Sequence, residues 1–199
     1  MVDFYNTKII AVANQKGGVG KTTSSVNIAA YLAISEAPTL LIDMDPQGNA
    51  TTGVGISVGT YKNSVYDLII GKKNVKKTIL NTDLKYLDII PSSGKLVGAE
   101  VELVNQYARE KFLKEGLDNI LGKYKYIIID SPPSLGLLTL NVLTACNSII
   151  IPIQCEYYAL EGLSQLLNTV RLVQKHLNSD LEIEGILINN SYSLTTRES

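Results

Sequence analysis

Apolar residues fall in short blocks along the chain, and the blocks alternate with longer stretches of helical periodicity. Runs at 8–13, 39–43, 86–90, 126–130, 148–153 and 183–189 are rich in Ile, Val and Leu and predict strands. Several are apolar throughout, as in parallel strands covered on both faces. Between them, 21–34 reads as a helix, 64–70 and 136–145 as short helices, and 96–121 as one or two. A long helix over 159–177 carries Leu160, Leu163, Leu166, Leu167, Val170, Leu172 and Val173 at helical spacing. Strand alternating with helix predicts an α/β fold: a doubly wound, mainly parallel sheet flanked by helices. No internal repeat or low-complexity linker divides the chain, so residues 1–199 are expected to form a single domain. Residues 46–63, rich in Gly, Thr and Ser, read as a flexible connection at the carboxyl end of a strand, the edge where open α/β sheets bind ligands.

Composition narrows the class. A 45% apolar content supports a sizeable core, and the net charge of −1 confines any nucleic-acid contact to a local patch. The apolar runs are too short to cross a bilayer, and Met1-Val2-Asp3-Phe4-Tyr5 lacks the basic start of a signal peptide. Cys146 and Cys155 form no C-x-x-C pair, so a reduced, cytoplasmic protein is expected, with Cys155 read as packing. Lys72, Lys73, Lys76 and Lys77 crowd a turn near Gly71 and read as a solvated surface. His176 ends a helix, where positive charge is favourable.

The candidate chemistry lies after the first strand, in Lys16-Gly17-Gly18-Val19-Gly20-Lys21-Thr22-Thr23. The plain reading is a glycine turn with solvated lysines. A strand before it and a helix after it favour a phosphate-binding loop instead. Glycines let backbone N–H groups curl around phosphate oxygens, and the helix aims its positive end at the same anion. Lys21 can reach β- and γ-phosphates, and the Thr22 hydroxyl can ligate Mg²⁺. A strict G-x-x-x-x-G-K-T would need glycine at position 15; here Gln15 stands there, followed by a second lysine, Lys16.

Two acidic strand ends join this loop. In Leu40-Leu41-Ile42-Asp43-Met44-Asp45-Pro46-Gln47, Asp43 and Asp45 are two apart and point the same way from an extended chain. Beside a phosphate loop they can hold Mg²⁺ waters and a hydrolytic water; the alternative is a solvated turn. Tyr126-Ile127-Ile128-Ile129-Asp130 is an apolar strand ending in an acid, the arrangement in which Asp130 orients a water on Mg²⁺. Pro132 and Pro133 stop the strand because neither can donate a ladder hydrogen bond.

Together with Asp45-Pro46-Gln47-Gly48-Asn49-Ala50-Thr51-Thr52, Ser131-Pro132-Pro133-Ser134-Leu135-Gly136 and Ile151-Pro152-Ile153-Gln154-Cys155-Glu156, these motifs resemble the ParA/Soj-type partition ATPases over nearly all of residues 8–188. These belong to the ParA/MinD superfamily, P-loop NTPases with a deviant phosphate loop. The nitrogenase iron protein would need cluster-ligating cysteines, and MinD a C-terminal amphipathic membrane helix; neither signature is present.

The resemblance implies ATP and Mg²⁺ as cofactors, bound by residues 16–23. It implies Asp43 as an indirect magnesium group, Asp45 as the carboxylate that positions the attacking water, and Lys16 as a lysine reaching the nucleotide of a second subunit. The alternative for Lys16 is contact with its own phosphates alone. It further implies an ATP-dependent homodimer, non-specific DNA binding on the nucleoid, a ParB-type partner that stimulates slow hydrolysis, and no membrane. After Gly185-Ile186-Leu187-Ile188 the family pattern continues as a Thr-Met-x-Asp-x-Arg-like turn, whereas this chain has Asn189, Asn190, Tyr192 and Leu194 and stops at Ser199. The family's C-terminal elements are therefore expected to be absent. A non-catalytic module that binds nucleotide or a partner is the alternative function.

Overall fold

The computed structural model describes residues 4–71, 74–154 and 159–189. Lys72, Lys73, Cys155 and the readings placed on 190–199 and on the first three residues lie outside that set. Seven strands form one sheet: β1 (Lys8–Val12), β2 (Thr39–Asp43), β3 (Leu80–Asn81), β4 (Leu87–Ile90), β5 (Tyr126–Asp130), β6 (Ser148–Gln154) and β7 (Glu182–Asn189). Their order is β3-β4-β2-β5-β1-β6-β7, and all pairs are parallel except β3 with β4. The expected parallel α/β sheet is thus what forms. The two-residue β3 has no sequence signal long enough to announce it.

Helices cover the two faces unequally. On one face lie α1 (Lys21–Ile34) and α2 (Asn49–Gly53), where Ala29, Ala33 and Ala50 meet Ile10, Val12, Leu41 and Ile128. Small side chains on α1 let its axis approach the sheet closely, which seats its first turn against the strand ends. The other face holds the larger core, under α3 (Val65–Ile69), α4 (Leu96–Leu103), α5 (Phe112–Leu117), α6 (Leu137–Ala145) and α7 (Ala159–His176). β2 and β5 are buried along most of their length, as their unbroken apolar runs require. The edge strand β7 is different: Ile183, Ile186 and Ile188 are 45%, 48% and 59% exposed.

One sequence expectation needs correction, and another is narrowed to the second of its two alternatives. Residues 46–63 are not one flexible connection, because Gly48, at φ 69°, turns the chain into α2. Residues 96–121 divide into α4 and α5 with short 3₁₀ turns at Arg109–Lys111 and Asp118–Ile120. The break lies near Ala108, held in the left-handed region at φ 52°. Buried Asn141 on α6 secures this segment. Its amide nitrogen donates to the Arg109 and Leu137 carbonyls at 2.9 and 3.0 Å, and its oxygen accepts from the Leu113 N–H at 3.1 Å.

Replacing Asn141 with Ala removes the partner of the buried Leu113 N–H and of the partly buried Arg109 carbonyl. A loss of about 1–3 kcal/mol is expected in urea unfolding, with the slope unchanged.

Candidate functional site

The parallel register brings the acidic strand ends to one level. Val12 of β1 and Asp43 of β2 both stand opposite Asp130 of β5. β1 then opens into the glycine turn, which the neighbouring strands tie down. The Asn14 amide donates to the Pro152 carbonyl at 2.8 Å and accepts from the Lys16 N–H at 3.0 Å. Gln154 donates to the Gly18 carbonyl and Asn189 to the Val19 carbonyl, each at 2.8 Å. With these carbonyls engaged from outside, Gly18 and Gly20 sit at φ 75° and 87°, the left-handed region that only glycine adopts without strain. Gly20 caps α1 without any side-chain bond, so the first N–H groups of the helix stay open to an anion.

Gly17, Gly18, Gly20, Lys21, Thr22 and Thr23 line a cleft of about 350 Å³, closed on its other side by Asp45, Gln47, Asn49 and Pro133. The Lys21 ammonium is buried and donates to the Lys16 carbonyl at 2.8 Å. Burial lowers its pKa, while Asp130 and Asp45 oppose that shift. Val19 is buried and lines an adjoining cavity with Asn27, Ile28 and Leu187 rather than the phosphate cleft. Lys16 does not line the phosphate cleft. It borders a wider, open cleft with Gln15, Pro133, Ser134, Leu135 and Gln165.

The three acids have different surroundings. Asp45 lines the cleft, and its Oδ1 accepts from the Gln47 N–H at 2.9 Å. Asp43 does not share the cleft with it. It is fully buried, with Oδ2 accepting from the Thr51 N–H and hydroxyl at 2.8 and 2.7 Å and Oδ1 from the Asp45 N–H at 3.2 Å. Burial pushes its carboxyl up to about 6 in spite of those bonds. Asp130 is also fully buried, with Oδ1 accepting from the Ser25 hydroxyl at 2.8 Å and Oδ2 without a hydrogen bond. Burial pushes it up to about 7; the Ser25 and Thr22 hydroxyls oppose the shift, and the nearby Asp43 and Asp45 add to it.

A buried carboxylate oxygen left without a donor, close to the Thr22 hydroxyl, fits a divalent cation. Among the described residues no group of three His, Cys, Asp or Glu side chains could hold a metal by itself. A cation here would complete its shell with phosphate oxygens and water. The site residues that sequence reasoning missed are the supporting ones: Asn14, Ser25, Thr51, Ser92, Gln154 and Asn189. Each is a common polar residue whose partner lies on another element, so no local spacing marks it.

A family model described as an AAA domain matches residues 7–183. The sporulation initiation inhibitor protein Soj of Bacillus subtilis (strain 168) is 59% identical over 91% of this chain and 72% of that protein. The chromosome partitioning protein ParA of Myxococcus xanthus (strain DK1622) is 54% identical over 91% of this chain and 64% of its own length. Among solved structures, cobyrinic acid a,c-diamide synthase from Mycobacterium smegmatis, with bound ATP analog and magnesium, superposes with a TM-score of 0.88. It is 41% identical and covers 92% of this chain and 74% of that one.

The raised carboxyl of Asp130 has a consequence for stability. Its folded-state value of about 7 lies above the ordinary 3.8, so ionisation across that interval weakens the fold. Asp130→Asn keeps an acceptor for Ser25 and removes the buried charge. Its melting temperature is expected to exceed the parent's by roughly 3–10 °C at pH 8, with the gain shrinking toward pH 4, as read by calorimetry without nucleotide.

Proposed function

The chain belongs to the Soj/ParA family of chromosome-partitioning ATPases, and from that premise we propose that it is a Mg²⁺-dependent ATPase acting as a nucleotide-controlled partitioning switch in the cytoplasm. The observation that carries this reading is the convergence of the glycine turn, Lys21, Thr22 and Asp45 on one cleft, with the unpartnered oxygen of Asp130 behind it.

In this reading the N–H groups of residues 17–23 and the Lys21 ammonium hold the triphosphate. Its arrival exchanges the Lys16 carbonyl for phosphate oxygens as the partner of Lys21. Bound Mg²⁺ would neutralise charge on the β- and γ-phosphate oxygens. Thr22 would supply a hydroxyl ligand to it, Asp130 would orient one of its waters, and Asp43 would act on it indirectly. Asp45 positions the attacking water. No strong general base stands at the site, so positioning and electrostatics carry the reaction and turnover is slow.

Lys16 is assigned to a second subunit's nucleotide. Its place on the wider, open cleft rather than the phosphate cleft supports that assignment. A cation added across an interface in this way is worth about 10³–10⁵ in rate and makes dimerisation depend on the γ-phosphate. The ATP-bound homodimer would bind DNA non-specifically on the nucleoid, and a ParB-type protein would stimulate hydrolysis. Among the described residues no helix is long and apolar enough to cross a membrane. A second reading, a module that binds nucleotide or a partner without turnover, is favoured by the exposed apolar side chains of β7.

Phosphate release and nucleotide affinity separate the two. Lys21→Ala is expected to weaken ATP binding by at least about 100-fold, having lost a charge-assisted contact to phosphate. Asp45→Ala should retain affinity, lose at least about 90% of its turnover, and accumulate as a dimer in ATP on size-exclusion chromatography. Parental turnover in the Asp45 variant would remove the role given to that carboxylate. Absence of phosphate release from the parent, with or without DNA, would favour the binding module.

A further inference from the structure

Asp45 is held by groups outside the phosphate loop. Its N–H donates to Asp43 Oδ1 at 3.2 Å, and its carbonyl accepts from the Gly48 N–H at 3.0 Å and from the Ser92 hydroxyl. Both the Asp43 carboxylate and the Ser92 backbone are anchored in turn by one side chain. The Thr51 hydroxyl donates to Asp43 Oδ2 at 2.7 Å and accepts from the Ser92 N–H at 3.0 Å. The Thr51 N–H adds a second bond to Asp43 Oδ2 at 2.8 Å. Thr51, Asp43 and Ser92 are each fully buried, so no water can replace a lost partner without rearrangement. Tyr61 extends the assembly by donating to the Ser92 carbonyl.

The geometry points to Thr51 as a positioning residue for the Asp45 carboxylate. Its hydroxyl joins α2, the end of β2 and the segment after β4 into a closed ring around the Asp45 backbone. It lies one side chain removed from the cleft and does not line it. The ring fixes where Asp45 sits; nucleotide affinity belongs to the glycine turn and Lys21, which Thr51 does not touch. Threonine suits the position because it donates and accepts at once while its methyl fills apolar space. Valine has the same shape and can do neither.

The inference rests on the role given to Asp45 above, so its test includes a readout independent of hydrolysis. Thr51→Val and Thr51→Ser would be compared with the parent for turnover and nucleotide affinity. Amide hydrogen exchange at Asp45, Leu41 and Ile42 would be followed in nucleotide-free protein. For Thr51→Val the expectation is a turnover about 10–100-fold lower, as for a small misplacement of a reacting group, with affinity within about threefold. Exchange at the Asp45 amide should quicken by about tenfold or more while Leu41 and Ile42 keep their protection. Thr51→Ser restores both values to within about threefold of the parent, since it keeps the hydroxyl.

Parental turnover together with parental Asp45 exchange in the valine variant overturns the proposal. So does a matching loss of affinity, or equal loosening at Leu41 and Ile42, because either outcome marks a general structural role. If the parent binds ATP but releases no phosphate, it is the ATPase reading that fails. The Asp45 amide then decides for Thr51 by itself: faster exchange in the valine variant supports it, and unchanged exchange overturns it.

Discussion

Asp43 and Asp130 stand opposite each other at the ends of adjacent parallel strands, both without solvent contact. Burial in a dry interior pushes both carboxyl groups upward, and nearby negative charge adds to it, from Asp45 on Asp43 and from Asp43 and Asp45 on Asp130. The surrounding structure answers this constraint in two ways. Asp43 is saturated with donors from Thr51 and Asp45 and becomes an internal fastener. Asp130 receives one hydroxyl on one oxygen and keeps the other unpaired. The second arrangement is costly in the nucleotide-free protein and is the kind of local deficit that a cation can relieve.

The glycine turn depends on the same register. With β1 between β5 and β6, the turn leaves the sheet beside Asp130 and within reach of β6 and β7, whose Gln154 and Asn189 tether its carbonyls. Lys21, placed at the start of α1, bonds inward to the Lys16 carbonyl. Gln154 and Asn189 thus tether the turn through its carbonyls rather than through its N–H groups. Preorganisation of this sort limits the entropy lost when an anion binds. The unequal layering serves the same end, since the small buried residues of α1, Ser24 and Ser25 near its amino terminus and Ala29 and Ala33 farther on, let it lie against the sheet where the acids are.

Much of this was legible in the sequence. The buried strands announced themselves because parallel strands covered on both faces leave no room for polar residues, as in Leu40-Leu41-Ile42 and Ile127-Ile128-Ile129. The glycine turn was legible because its conformation excludes other residue types, and its lysine and threonine follow at a fixed spacing. The segment 96–121 was less so: Asn141, from a helix distant in sequence, ties down the part that a local helical pattern would have continued. The helix at 49–53 was masked by its Gly, Thr and Asn content, a composition typical of turns. It stands because Gly48 starts it and Asp43 anchors Thr51.

Local composition by itself determined the strand–turn–helix order, the glycine turn within residues 16–23 and the presence of acids at two strand ends. Those features are encoded by contiguous residues and by backbone preferences that act over a few positions. Tertiary structure alone decided which acid faces the cleft, which is locked inside, and which keeps an oxygen free. That assignment depends on Ser25, Thr51 and Ser92, which come from separate elements, and on the depth to which the sheet buries each carboxyl group. Burial and long-range hydrogen bonding have no signature in neighbouring residues, so the different surroundings of Asp43, Asp45 and Asp130 emerge only when the chain is folded.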